Sequence, residues 1–182
     1  MIPATTDENG HSLKLLLHLA IQQASPDAVF RFANDQDAIV RAIAARRLAT
    51  DKLLEERAYR FALELSDDPK SKRRELSAYL LGQIGTPKYP YKTESVAILE
   101  KLAKDRSAAV RGAAIVALGH LEAKSSKTLI LESLDDPDAG VVDSASYALW
   151  AIGRTEKDKR RLCAAVKRFD SKTRQTIDLW DD

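Results

Sequence analysis

The chain has 182 residues, 45% of them hydrophobic and 31% charged, and a formal net charge of +2. That length holds one domain with a sizeable core or one short repeat array, and a surplus of alanine and leucine over valine and aromatics favours helix over strand. The near-neutral balance excludes a global field steering the molecule to nucleic acid or a membrane, and a single cysteine, Cys163, excludes an intramolecular disulfide.

The N-terminal stretch has no signal-peptide layout. Its longest apolar run, Leu15 to Ile21, contains His18 and is too short to span a bilayer. A cytoplasmic setting without membrane contact is the expectation. Residues 12–24 read as one helix covering this end, within a capping segment 1–25. Beyond it the chain repeats itself. Asp35, Asp68, Asp105 and Asp136 recur at spacings of 33, 37 and 31 residues, each long enough for two helices and two turns. The units are 26–50, 51–86, 87–122 and 123–154.

Within the second unit a first helix is expected over 51–66, with Leu53, Leu54, Ala58, Phe61, Ala62 and Leu65 at helical spacing. The connection from Gly85 to Thr93 carries two prolines and cannot continue a helix. Tyr89 and Tyr91 flank Pro90 there, either as candidate contacts or in a loop folded back on its own repeat. First helices follow over 92–104 and 125–134. A last helix fits 155–168, and Asp170 and Arg174 resemble the start of a truncated hairpin within 155–182. Cys163 lies in its alanine-rich stretch and reads as a buried core thiol, not a nucleophile. From Arg154 to Arg174 nine residues are basic and three acidic, so this end is either an anion-binding surface or a solvated terminal helix.

Four columns run through the units. Six residues after each aspartate stand Arg41, Arg74, Arg111 and Val142. Three further on are the small residues Ala44, Ser77, Ala114 and Ala145, and four beyond these Leu48, Leu81, Leu118 and Leu149. Ala49, Gly82, Gly119 and Trp150 come next. Small residues and leucines at such spacing share one helix face, so neighbouring helices approach closely over a leucine layer. The aspartates are expected to be N-caps. Single hairpins cannot bury their apolar faces, so the stack must be continuous.

The segment Asp105-Arg-Ser-Ala-Ala-Val-Arg-Gly-Ala-Ala-Ile-Val-Ala-Leu-Gly119 resembles the signature of HEAT-like repeats, of the kind also found in phycobilin lyases, and the resemblance extends over about residues 26–174. It implies a single all-α domain over 1–182, a right-handed α-solenoid of about four to five helical hairpins. It further implies that the second helix of each hairpin lines a concave, binding side, and that the aspartate and arginine columns pair between neighbouring repeats. Asp68, Arg74, Asp105 and Arg111 are therefore structural. Arg47 departs from a column held by Leu80, Ala117 and Ala148, which makes the first repeat a solvated cap, with Leu48 more exposed than Leu118.

The columns not used for packing nominate the partner-binding residues. They are Arg46, Tyr79 and Tyr147 in one column, Glu75 and Asp143 one turn earlier, and Gln83, His120 and Trp150 one turn later. Tyr79, Tyr147 and Trp150 form either an aromatic cluster on the concave face, the composition of binding hot spots, or a set half-buried against the next helix. His11, His18 and His120 have no metal-ligand spacing. No phosphate-binding loop or nucleophile motif is present. The expectation is a non-enzymatic module without cofactor or metal, binding another protein as an adaptor or an immunity-type inhibitor of a toxin. A nucleic-acid binder related to HEAT-like DNA glycosylases is the alternative. Asp143 and Trp150 invite it, while the net charge and Val142 oppose it. A third reading is a non-catalytic subunit of a larger enzyme, whose end helices would be unusually apolar.

Overall fold

Alanine- and leucine-rich segments punctuated by Asp, Pro and Gly become a run of α-helices, and no strand occurs among the described residues. The computed structural model describes the backbone of residues 8–175 and 177, and the side chains of 14–175 and 177. The helices are α1 (Glu8–Gln23), α2 (Pro26–Phe32), α3 (Ala38–Thr50), α4 (Glu55–Ser66), α5 (Ser71–Gln83), α6 (Lys92–Leu102), α7 (Ala108–His120), α8 (Lys127–Glu132), α9 (Ala139–Ile152), α10 (Glu156–Val166) and α11 (Ser171–Arg174). Short 3₁₀ turns at Lys124–Ser126 and Ser133–Asp135 flank α8. Helices α2/α3, α4/α5, α6/α7 and α8/α9 form four successive hairpins, α10/α11 begins a fifth, and α1 lies against α3. The arrangement is an all-α solenoid. No helix among the described residues is long and apolar enough to cross a membrane.

The second helices α5, α7 and α9 pack directly on one another, whereas the first helices α4, α6 and α8 pack mainly on their own partners. The small-residue columns explain the close approach. A Cβ built on Gly82 would lie 2.5 Å from the Cβ of Ala117, a distance that no side chain allows. The second helices therefore form the more tightly packed row of the stack. Leu81, Leu118 and Leu149 form the buried layer between hairpins, joined by Leu99 and Ile130 from the first helices and by Leu134 from the 3₁₀ turn after α8.

Register between units is set by buried ion pairs. Arg74 places Nε and Nη2 at 2.6 and 2.8 Å from the two carboxylate oxygens of Asp105, and its Nη1 donates to the carbonyls of Asp68 and Pro69. Arg111 repeats the arrangement on Asp136, with its Nη1 on the carbonyls of Asp105 and Arg106. Each planar fork grips its aspartate bidentately. The Arg74 hydrogen bond is the main reason that the Asp105 carboxyl stays charged well below the usual carboxylate range. Burial pushes Asp136 the other way, but hydrogen bonds from Arg111 and from the Asp138 N–H outweigh it, and its pKa is lowered too.

The ladder is not uniform. Arg41 donates to its own turn, at Asp35 O and Gln36 O, but not forward to Asp68, whose Oδ2 is held by Arg73 at 2.7 Å. At the other end Val142 offers no guanidinium. Arg168, from the end of α10, donates instead to the carbonyls of Leu134, Asp135 and Asp136.

Several sequence expectations need correction. The column aspartates are not N-caps. The caps are Asp37, Lys70, Ser107 and Asp138, two residues further on. Asp35, Asp68, Asp105 and Asp136 each accept from the N–H of that residue at 2.8–2.9 Å, forming Asx turns that leave acceptor capacity for a neighbour's arginine. Leu53 belongs to no helix face. It sits in the turn before α4 and is 94% exposed. Cys163 is exposed, because α10 buries Leu162, Ala165 and Val166 and turns the next position away. Arg47 is not a solvated cap. It donates to the carbonyls of Ile21 and Ala24 and lies 3.6 Å from Asp51, tying α3 to the end of α1, where a cation suits the free carbonyls. Under that cover Leu48 is as fully buried as Leu118.

Two outcomes follow from the packing. Leu48→Ala and Leu118→Ala should both cost about 2–5 kcal/mol in urea denaturation, with no discount for the first hairpin. Asp105→Asn should cost about 3 kcal/mol at neutral pH, because it strands a buried guanidinium. The Asp105 pKa is depressed in the folded protein, so its stabilisation is full above the unfolded value of about 4 and lost as pH falls through the folded value. Urea midpoints of wild type and variant should therefore stay apart above about pH 4 and converge as pH falls below it.

Candidate functional site

The second-helix row presents the residues that its packing leaves over. Arg46 is exposed on α3, and Glu75 and Tyr79 are exposed on the facing side of α5. Burial of the Tyr79 ring raises its pKa while the positive charge of Arg46 opposes the rise, which places the two side chains within electrostatic reach. Tyr79 nevertheless keeps 39% of its surface exposed. The hollow beside it, between α3 and α5, is bordered by Glu75, which also borders a second hollow between α5, α7 and α9.

A second group spans α5, α7 and α9. The Gln83 amide donates to Nδ1 of His120. Burial lowers the His120 pKa, so its imidazole is neutral at physiological pH and Nδ1 is free to accept. The His120 ring meets the Tyr147 ring edge-on, with centroids 5.3 Å apart, and Tyr147 lies 6.1 Å from Trp150. Burial raises the pKa of Tyr147, and the neighbouring Tyr89 adds to the rise. Asp143 is half-buried on α9, one turn before Tyr147.

Trp150 breaks its column. The other units hold Ala49, Gly82 and Gly119 there, and Gly82 and Gly119 each touch the next second helix. Trp150 keeps 43% of its surface exposed. A Cβ on Gly119 would lie 2.9 Å from Ala148 Cα and 3.2 Å from Tyr147 Cε1, so its absence seats the Tyr147 ring.

The structure thus brings Gln83, His120, Tyr147 and Trp150 together and sets Arg46, Glu75 and Tyr79 apart from them, on the α3–α5 side. The two tyrosines of the long connection divide. Tyr91 stacks on Tyr59 of α4 at 4.0 Å, folding the connection back onto the array. Tyr89, with a φ of +44°, lines the hollow that holds His120, Tyr147 and Trp150. Gly85, at φ +78°, makes the turn possible, since a Cβ would strike the Pro90 ring at 2.2 Å. Glu122 borders the same hollow, also at positive φ. It was not among the residues expected from sequence, because no column marks a residue past the end of its helix.

Part of the basic C-terminal end is internal structure. Arg161 pairs with Asp135 at 2.9 Å, and Lys159 lies 3.6 Å from Glu156. Lys127 pairs with the buried Asp158 at 2.8 Å, and Arg168 is spent on carbonyls as described. Arg160 and Lys167 are exposed.

A family model for HEAT repeats matches residues 63–151 and, in an overlapping placement, 95–177. No curated protein matches the sequence. Among solved structures, the X-ray structure of YibA from Escherichia coli is similar with a TM-score of 0.59 at 20% identity, over 96% of this chain and 74% of that one. At that identity the likeness is one of fold. Gly119→Ala should destabilise by about 1–3 kcal/mol through overpacking, measured by urea denaturation, even though alanine is the better helix former.

Proposed function

The chain belongs to the HEAT-repeat family, and from that premise we propose that it is a non-catalytic module that binds another protein along its second-helix row. The observation that carries this reading is the exposure of Tyr79 and Trp150 on a row most of whose large apolar residues are buried or half-buried, Ile39 being exposed as well. Large aromatics left in water beside polar neighbours are the usual anchors of protein interfaces. Arg46, Glu75, Gln83, His120, Asp143 and Tyr147 supply their surroundings. An adaptor or an immunity-type inhibitor acting in the cytoplasm is the role we favour. We also propose that its repeats are of the phycobilin-lyase type, on the strength of the segment Asp105–Gly119.

A second reading has its own observation. Helix α1 leaves Leu15, Leu16 and Leu19 exposed, as expected of a subunit that docks by its end helix. Nucleic-acid binding is the weaker alternative, since Arg161 and Arg168 are engaged within the chain. It would show as strong salt dependence of retention on DNA.

The test is to capture the partner from the native cell, identify it by mass spectrometry and titrate it by calorimetry. Tyr79→Ala combined with Trp150→Ala should weaken binding at least tenfold, about 1.4 kcal/mol, with the helical circular dichroism intact. Arg160→Ser with Lys167→Ser should change mainly the on-rate and its salt dependence. The reverse pattern would sink the second-helix-row reading.

A further inference from the structure

Two of the three column arginines are used twice. Nη1 of Arg74 and of Arg111 fastens its own turn, and the Nε/Nη2 edge grips a carboxylate of the following unit. Arg41 has the first half only. Its Nη1 is fixed on Asp35 O and Gln36 O at 2.8 and 2.7 Å, which orients the guanidinium, and its other edge makes no hydrogen bond to any described residue. Asp68, the carboxylate that the repeat would place there, is occupied by Arg73.

The seam beside it is open. A cleft of about 770 Å³ runs between the turn before α3 and the start of α5. It continues into a hollow of about 340 Å³ between α3 and α5, and Arg41, Lys72 and Leu76 line both. At the outer end the walls carry Lys70, Lys72 and Arg73 against Asp35 alone. The inner end has an apolar floor of Ala38, Ala42, Ala45 and Leu76, is closed by Tyr79 and carries one carboxylate, Glu75, so the acidic group of a ligand belongs at the outer end. Arg73 also has a buried Nε without a hydrogen-bond acceptor, an unmet demand of the kind that native structures rarely leave.

We propose that this cleft binds an acidic peptide segment of a partner protein. A carboxylate of the segment sits on the Nε/Nη2 edge of Arg41, as Asp105 and Asp136 sit on Arg74 and Arg111. An apolar side chain next to it lies over Leu76 towards Tyr79. The bidentate fork supplies geometry that a lone lysine cannot, and Lys70 and Lys72 add attraction at the rim. The proposal rests on the reading that the chain binds another protein, and it names the chemistry of what enters at the α3–α5 end.

The probe is a fluorescein-labelled peptide of alternating leucine and aspartate, followed by fluorescence anisotropy on the full chain. A matched peptide with asparagine for aspartate is the control. The acidic peptide should bind saturably, and the asparagine peptide at least tenfold more weakly. Arg41→Lys, which keeps the charge and loses the fork, should weaken binding at least tenfold. Lys72→Glu, exposed on the rim and holding no other group, should do so without moving the thermal melt, which keeps the test valid if Arg41 variants fold poorly. Trp150→Ala should leave peptide affinity unchanged. Absent binding, equal affinity for both peptides, or indifference to Arg41→Lys and Lys72→Glu would overturn the proposal. So would a double-mutant cycle showing that Arg41 and Asp68 are already coupled in the free protein. Tyr79 closes this cleft while Trp150 lies outside it, so partner capture lost with Trp150→Ala alone tests the earlier reading, loss of peptide binding with Arg41→Lys tests this one, and the two fail separately.

Discussion

The arginine–aspartate ladder is the constraint on which the rest depends. Hairpins held only by leucines and alanines have no fixed register, because apolar contact is non-directional. A buried guanidinium is different. Its donors point in a fixed fork, and an unmatched one is costly in low dielectric. By reaching at once to the turn of its own unit and to the carboxylate of the next, Arg74 fixes the offset of α5 against α7, and Arg111 does the same for α7 against α9. The aspartate is prepared for this role by its own Asx turn. Glycine and alanine then set how close the helices come.

Where the ladder changes, the surface changes with it. Between α3 and α5 the forward pair is missing, and a cleft of about 770 Å³ lies there. On α9 the small residue of the column gives way to Trp150, which is exposed. Between these two points Gly82 and Gly119 keep the row closed. The distinctive surface of the molecule therefore arises at the irregular steps of a regular array, from the same residues that elsewhere disappear into packing.

Much of this was legible in sequence. The four aspartates, the leucine column and the small residues predicted the hairpins and their order, because each column answers to one physical demand that repeats. Asp105 with Arg74 and Asp136 with Arg111 came out as the family pattern implies. Errors fell where one column serves two ends or where a long side chain crosses between units. The aspartate spacing cannot tell a cap from an Asx turn two residues earlier. Arg47 looked like a residue in water because its acceptors, the carbonyls of α1, lie outside any column. Arg168 stands in no repeat position at all, yet it replaces what Val142 lacks. Among the candidate residues the grouping of Gln83 with His120 required the fold, since their columns are one and the same and only the stacking of α5 on α7 brings the side chains together.

The ladder also has a direction. Arg74 and Arg111 each reach towards the C-terminal neighbour, and Asp105 and Asp136 each receive from the N-terminal one, so the unit that holds Asp105 and Arg111 carries one plug and one socket. A duplicated hairpin spliced between α5 and α6 would find both of its connectors waiting and leave every existing pair replaceable in kind. A unit added after α9 would have to evict Arg168 from its three carbonyls and would meet Val142 where a plug should be. The fold is thus open to lengthening from within and closed to growth at that end, and its evolutionary or engineered expansion should proceed by copying its middle.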